Sequence, residues 1–402
     1  MLMRLPHQFR QASALLDHIE TYDHQAYFVG GCVRDLLLNR HIGDIDIATS
    51  ATPDVIQQIF SKIIPVGLEH GTVIVRYQHQ SYEVTTFRLD GDYSDQRHPD
   101  AVQFVQTINQ DLKRRDFTIN AMAMDKNGNI IDPFNGREDL QKGIIRTVGN
   151  GHDRLIEDPL RIMRALRFSS QLGFKIEDET LRAMSGLSDE IETIAVERIV
   201  QEAAKFFAGA YVKTGMLYFE SIGITNHLPI LKDHPHIMEQ IPKQIKPLKS
   251  FATVIAMFHV TEPGISIHQW AKQWKCSNKI KHEASVLSQA LQHYQHDGLD
   301  RWLVYHLPAN RYSDFATLVY MLFADVISEE SIQKIATALP IYSKQDLAIN
   351  GTELRRLFPD RGAGPWIGDI LDQIEKQVVS GRLDNKKNML KEWIKWNPPV
   401  TD

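Results

Sequence analysis

The sequence predicts an α+β protein, a mixed α and β head followed by a long all-α remainder. Three observations predict it. β-branched and aromatic runs are confined to about the first 150 residues. From about residue 153 the apolar residues recur at helical spacing, with few strand runs. Hydrophobic residues at 43% and charged residues at 24% fit an ordinary globular chain, which excludes a disordered, collagen-like or disulfide-scaffold protein. At 402 residues, two or three domains are expected.

AYFVG is a short apolar run ending at Gly30-Gly31, a buried strand entering a tight turn. CVRDLLLN then has helical spacing, with Val33, Leu36 and Leu37 inward and Leu38 as a further candidate. Gly43 precedes DIDIATS, where Ile45, Ile47 and Ala48 mark a strand. Thr52-Pro53-Asp54 starts a helix, a capping hydroxyl followed by proline at the first helical position. TVIVRYQ and YEVTTFRL read as two strands. The polar DGDYSDQRH between Arg88 and Pro99 reads as a mobile connection. RLIEDPLRIMRALRFSSQL, DETLRAMSGL, VERIVQEAAKFFAG and KTGMLYFESIGI are helical, with Gly173 and Gly209 as helix ends, and helices continue to the C-terminus. The divisions expected are 1–150, 151–206, 207–285 and 286–402.

Lys+Arg 45 against Asp+Glu 50 gives −5, which excludes a globally basic nucleic-acid binder but not a local basic surface. Lys243, Lys246 and Lys249 form one such cluster, and Lys272, Lys275, Lys279 and Lys281 another; each reads equally as a phosphate-binding surface or a solvated helix face. Two distant thiols, Cys32 and Cys276, fit a reducing compartment and make no metal pair. No apolar leader or run of membrane-spanning length is present, so a soluble, cytoplasmic protein is expected. None of the 17 histidines lies in a zinc-protease pattern, and His296-Asp297 reads as a loop. Walker A, dinucleotide and Ser or Cys nucleophile motifs are absent.

Three segments carry candidate chemistry. GGCVRD leads into GDIDIA, where strand alternation would aim Asp44 and Asp46 the same way, about 7 Å apart. Paired oxygen ligands suit Mg²⁺ shared with substrate phosphates. The Gly30-Gly31 turn offers backbone N–H groups to an anion, with Arg34 one helical turn in. Asp-x-Asp alone reads more simply as a polar strand end; the glycines and arginine upstream reverse that preference. In RRDFTINAMAMD, Asp116 and Asn120 would share a helix face and Arg115 could meet a triphosphate; the alternative is solvated charge at a helix start. In EDPLRIMRALRF, Asp158, Arg161 and Arg164 follow one drifting helical stripe. An Asp/Arg pair can read the amine-bearing edges of cytosine and adenine and reject uracil and guanine. Equally, Asp158 before Pro159 is a helix cap, and an i, i+3 Asp–Arg pair is an ordinary surface ion pair.

Taken in order, YFVGGCVRDLLLNRHIGDIDIATSATP, HGTVIVRY, YEVTTFRLDGDY, LKRRDFTINAMAMD, DPFNGREDL and IEDPLRIMRALRF resemble the class II tRNA nucleotidyltransferases, and more narrowly the CCA-adding enzymes of Gram-positive bacteria. The resemblance runs through about residue 205 and continues weakly as LAINGTELRRL and GAGPWIGDILDQIEKQVVSG. It implies a polymerase-beta-like nucleotidyltransferase head with a mixed sheet over 1–150, a base-recognising neck over 151–206, a body over 207–285 and a tRNA-binding tail over 286–402. It implies template-independent addition of CCA to tRNA from CTP and ATP, with release of pyrophosphate by two-metal transfer. Asp44 and Asp46 would bind catalytic Mg²⁺, with Glu83 as a candidate third carboxylate. Gly31, Arg34 and Arg115 would contact the nucleotide, and Asp158, Arg161, Arg164 and Arg167 would form the selecting wall, Asp158 and Arg161 at the base edge. Arg88 to Pro99 matches the family's flexible loop for the switch from C to A. The expected partners are the acceptor stem and T arm of tRNA, CTP and ATP, with no membrane; oligomeric state stays open, a homodimer included. A bacterial poly(A) polymerase, an enzyme adding only A, and an inactive tRNA-binding module are the alternatives.

Overall fold

The computed structural model describes residues 5–90 and 102–398. The chain forms two compact units, Met1–Met238 and Glu239–Asp402. The Arg88–Pro99 connection lies, from residue 91 on, outside the described residues.

The first unit opens with α1 (His7–Glu20), α2 (Gly31–Leu37) and α3 (Pro53–Ile59) interleaved with strands. These strands are β1 (Ala26–Val29), β2 (Asp46–Thr49), β3 (Ile63–Gly67), β4 (Thr72–Tyr77) and β5 (Gln80–Thr86). A separate hairpin pairs β6 (Arg88–Asp90) with β7 (Val102–Phe104), and α4 (Ile108–Lys113) precedes β8 (Ala123–Met124) and β9 (Ile130–Ile131). The main sheet has seven strands in the order β3-β4-β5-β2-β1-β8-β9. β2 and β5 are parallel and the other neighbours antiparallel. A parallel pair needs a crossover, supplied here by α3 and the β3–β4 hairpin.

Burial explains the elements. α1 places Phe9, Ala12, Leu15, Leu16 and Ile19 on one buried stripe, with Phe9 edge-on to Phe28 of β1 at 4.9 Å. A second cluster joins Val29, Ala48, Phe87, Val105, Ile108, Leu112 and Ala123. Phe87 divides YEVTTFRL into two strands. Its N–H donates to Thr49 O and its carbonyl accepts from Val105 N, so the chain leaves the main sheet there. β3 escapes a sequence reading because Pro65 sits inside it; the strand is at the sheet edge, where a missing donor is tolerated. The Thr52 hydroxyl makes no capping bond, so α3 starts on the fixed φ of Pro53 with Asp54 in its first turn.

Helices then dominate: α5 (Gly136–Lys142), α6 (Gly151–Glu157), α7 (Leu160–Leu172), α8 (Asp178–Gly186), α9 (Val196–Phe207), α10 (Val212–Ser221) and the short α11 (His236–Glu239). Two-residue strands β10 (Ile144–Ile145) and β11 (Lys175–Ile176) pair in parallel across this region. α7 is buried between α9 and α10. Gly209 is required there, because a Cβ would fall 2.5 Å from the carbonyl oxygen of Ser170.

The second unit is helical in its described residues: α12 (Phe251–Thr261), α13 (Ile267–Gln273), α14 (Asn278–Asp297), α15 (Arg301–His306), α16 (Tyr312–Phe323), α17 (Glu329–Thr337), α18 (Gly351–Leu357), α19 (Trp366–Val379) and α20 (Lys387–Trp396). His296 and Asp297 end α14 and do not form a loop; the helix stops only at Gly298, with φ +75°. Lys243, Lys246 and Lys249 precede α12 and lie on no helix, so a solvated helix face does not describe them. Lys246 Nζ sits 3.6 Å from the Tyr320 ring centroid.

Gly136 starts α5 where a Cβ would fall 2.3 Å from the carbonyl oxygen of Thr118. Gly136→Ala should therefore destabilise the fold by about 1–3 kcal/mol, read as a lower urea midpoint. An unchanged midpoint would show that the neighbouring turn yields without cost.

Candidate active site

β1 ends at Val29, and the chain turns at Gly30, whose φ of +73° belongs to the left-handed region. Space requires glycine as well, since a Cβ at Gly30 would lie 2.9 Å from Arg115 Nη1. α2 starts at Gly31 and sets Arg34 one turn in. Arg34 donates to both oxygens of Asp35 at 2.9 Å and from Nη1 to Asn120 Oδ1 at 2.8 Å.

Asn120 connects onward. Its Nδ2 donates to Asp116 Oδ1 at 3.1 Å, and Arg164 Nε donates to Asp116 Oδ2 at 2.8 Å. The spacing of Asp116 and Asn120 suggested a shared helix; the pair does bond, but across a 3-10 turn over Thr118–Asn120. Nor is Asp116 a solvated charge, because it is buried. Burial pushes its carboxyl up, but Arg164, Asn120 and the N–H of Phe117 more than reverse this and leave it far below the usual carboxylate range. Asp111 is likewise buried, accepts from Arg114 at 2.9 Å and Arg115 at 3.2 Å, and is held low.

α7 supplies the opposite wall. The ring of Phe168 has the guanidinium carbons of Arg167, Arg34 and Arg164 at 4.0, 5.1 and 5.7 Å from its centroid. Arg167 also pairs with Glu202 of α9.

Asp158 sits between α6 and α7. Its Oδ1 accepts from the Leu160 N–H at 3.2 Å, so it does cap the start of α7. Its ion partner is Arg198 of α9 at 3.2 Å, in place of the i, i+3 pair with Arg161. Burial raises its carboxyl, and the charges of Arg198 and Arg161 pull it back only in part. Arg161 is buried at 6% exposure; it donates to Glu157 at 2.8 Å and to the carbonyls of Arg154 and Arg114 at 2.6 and 3.3 Å.

One cavity of about 460 Å³ gathers these groups. Gly31, Arg34, Asp46, Arg115, Asp158, Arg161, Arg164 and Arg167 all line it, as the sequence grouped them. So do Arg88, Arg114 and Phe168, which sequence reasoning did not assign. Seven arginines face three aspartates in this lining, a net of four positive charges built for a polyanion. Arg198 and Glu202 were missed too. Their signal was present in VERIVQEAAKFF, where Glu202 falls on the stripe of Ile199, Ala203 and Phe206, an acid facing a core.

Of the three candidate metal carboxylates, only Asp46 lines the cavity. β2 begins at Asp46, so Asp44 lies ahead of the strand, exposed, and the strand-alternation argument does not reach it. Asp46 is directly opposite Glu83 on the parallel β5. Burial, then Glu83, and more weakly Asp44 push the Asp46 carboxyl up to about 6, with Arg115 opposing. Crowded carboxylates of this kind accept a cation. Among the described residues no three His, Cys, Asp or Glu groups converge into a complete metal cage. An ion there would hold one or two carboxylates and take its other oxygens elsewhere.

The region over 26–146 matches the model of the poly A polymerase head domain, 173–234 that of a probable RNA and SrmB-binding site of polymerase A, and 249–394 that of a putative tRNA nucleotidyltransferase domain 2. Together with the arginine-lined cavity, the head defines a nucleotidyltransferase. A CCA-adding enzyme of Oceanobacillus iheyensis is 46% identical over 392 residues, 97% of this chain and 98% of that one. One from Enterococcus faecalis is 40% identical over 401 residues, 98% and 97% of the two chains. The crystal structure of the Bacillus stearothermophilus CCA-adding enzyme in complex with CTP is 34% identical and superposes with a TM-score of 0.87 over 98% of both chains. This chain belongs to the CCA-adding enzymes, the tRNA nucleotidyltransferases that build the CCA end. Such nucleotidyltransferases use divalent metal ions. No helix among the described residues is long and apolar enough to cross a membrane.

The raised Asp46 carboxyl has a sign that can be checked. In metal-free protein the folded state holds this proton more tightly than the unfolded chain does. Stability is therefore lost as pH rises from the ordinary carboxylate range through about 6. Asp46→Asn should melt higher than the wild type in chelator, by a margin that grows from pH 5 to pH 7 and then levels; a margin flat with pH would refute the shift.

Proposed function

We propose that the cavity of the first unit binds CTP or ATP, and that the chain extends tRNA without a template until CCA is complete. The observation that carries this is the excess of arginine over aspartate in one cavity that Asp46 also lines. In this reading the Gly30-Gly31 turn, Arg34 and Arg115 hold the triphosphate. Arg115 Nε supports it, being buried with no hydrogen-bond partner among the described residues, a donor without an acceptor.

Asp44, Asp46 and Glu83 would hold Mg²⁺. Divalent ions held by these carboxylates would supply a lowered pKa for the attacking hydroxyl and an offset to charge on the triphosphate. The reaction forms a bond from the tRNA 3′-oxygen to the α-phosphorus and breaks the bond to pyrophosphate. The arginines orient the triphosphate for that displacement and neutralise the charge of the leaving pyrophosphate.

Asp158 and Arg161 would read the base. The Asp158 carboxylate retains acceptor capacity beyond its bonds to Leu160 and Arg198, enough to accept a hydrogen bond from the exocyclic amine of cytosine or adenine. The organisation proposed is a catalytic head over 1–150, a base-reading neck over 151–206, a body over 207–285 and a tRNA-binding tail over 286–402. The acceptor stem and T arm are the proposed contacts on tRNA, and a homodimer remains compatible.

Two measurements test this. Asp44→Ala and Asp46→Ala should abolish incorporation on transcripts ending before CCA, after C and after CC, with the fold kept by circular dichroism. Normal turnover would remove the metal assignment. Asp158→Asn should relax choice among the four nucleotides by roughly 1–3 kcal/mol, a factor of about five to 150. Unchanged selectivity would leave Asp158 as a helix cap alone. Arg161 is the poorer probe, since its replacement also strands the bonds it makes inside the wall.

A further inference from the structure

The second unit contains a cavity of about 540 Å³ that the reaction above does not use. Three separate segments meet around it: the start of α15, the later half of α17 and the turn after α19. They bring Arg301, Lys334 and Arg382 to one space. None of these three side chains makes an ion pair or hydrogen bond among the described residues. The acid in the lining, Asp300, offsets one of the three charges at most; it pairs directly with none of them, its Oδ1 capping α15 through Leu303 N–H at 2.8 Å and meeting His293 Nε2 at 3.0 Å. Arg301 reaches across a bare backbone: Gly381 has φ +73°, and a Cβ there would lie 2.2 Å from Arg301 Nη1. Leu299, Ile335 and Ala338 give the cavity an apolar side.

The three cations are exposed and therefore solvated, but gathering them around one concave space favours an anion there, and guanidinium groups favour phosphate. The chain carries a net −5, so it needs local positive sites to hold a polyanion. We propose that this cavity is a binding site for a phosphodiester of the RNA backbone, with Arg301, Lys334 and Arg382 on the phosphate oxygens and the ribose against Leu299, Ile335 and Ala338. The inference rests on the reading that tRNA is the substrate, and it assigns to that RNA a contact independent of base sequence.

The test is the full-length triple variant Arg301→Gln, Lys334→Gln, Arg382→Gln, with affinity for a tRNA transcript lacking CCA measured from about 50 to 200 mM salt. The expected result is a Kd raised about tenfold at the low-salt end and a log–log salt slope shallower by roughly one, near the 0.7–0.9 per phosphate contact of nucleic acids. CTP binding by the variant reports that the first unit is folded; should it fail, the three single substitutions are read in the same way, each expected to shallow the slope. Kd and slope equal to wild type overturn the proposal. So does a second pattern, in which inorganic phosphate at constant ionic strength raises the melting temperature of the wild type but not of the variant while tRNA affinity is unchanged: the cavity then takes a free anion. The functional reading fails separately. A wild type that adds no CMP or AMP to tRNA, yet loses RNA affinity on substitution, refutes the reaction and keeps the site.

Discussion

The candidate site depends on one buried carboxylate. Asp116 accepts from Asn120 on one oxygen and from Arg164 on the other, and Asn120 in turn accepts from Arg34. This relay runs from the first turn of α2, through the 3-10 turn, to the middle of α7. It fixes two of the cavity's arginines from opposite walls through a single negative charge. A neutral residue at 116 would leave those cations facing each other with no anion between them. Burial of Asp116 is costly in itself, and it is tolerated because a guanidinium, a side-chain amide and a backbone N–H all donate to it.

The same logic governs the rest of the arginines. Like charges packed around a cavity repel, and the structure answers by pairing several of them from behind. Asp111 holds Arg114 and Arg115, Glu157 holds Arg154 and Arg161, and Glu202 holds Arg167. These acids lie outside the lining, while Arg114, Arg115, Arg161 and Arg167 lie in it. Phe168 adds a ring face against which three of the cations rest. Compensation from behind keeps the wall folded without filling the space in front, so positive potential is available to a ligand at little cost in reorganisation.

How much of this was legible in the sequence follows from the range of each interaction. The strands at AYFV and the DIDIATS segment, the helix at CVRDLLLN and the long helix through RALRF carry local signals of period and punctuation, and they form where expected. The grouping of Arg34, Arg115, Asp158, Arg161, Arg164 and Arg167 was legible through the order of family motifs. What the sequence could not give were partners set by tertiary packing. Nothing local tells Asp158 to bond Arg198, forty positions on, in place of Arg161 one turn away. Asp44 and Asp46 show the opposite failure: a two-residue spacing implied a shared strand face, but pairing with β5 begins only at Asp46. The carboxylate that pairing brings beside Asp46 is Glu83, which spacing alone could not rank.

Selectivity, in the proposed reading, inherits its geometry from helix packing. Asp158 is held by the backbone of α7 at one oxygen and by Arg198 of α9 at the other, so its orientation follows from how α7 lies on α9. That contact is filled by Ile199, Ala203 and Phe206, and close approach nearby requires Gly209 against Ser170. A base-reading group placed on a loop would follow the loop's fluctuations. One braced between two packed helices is held to within the tolerance that hydrogen-bond discrimination demands. It can be re-aimed only by moving α9 against α7. A switch between two pyrimidine additions and one purine addition at such a site would therefore be expected to involve movement of the helices or the head, since neither oxygen of Asp158 can swing without breaking a bond already made.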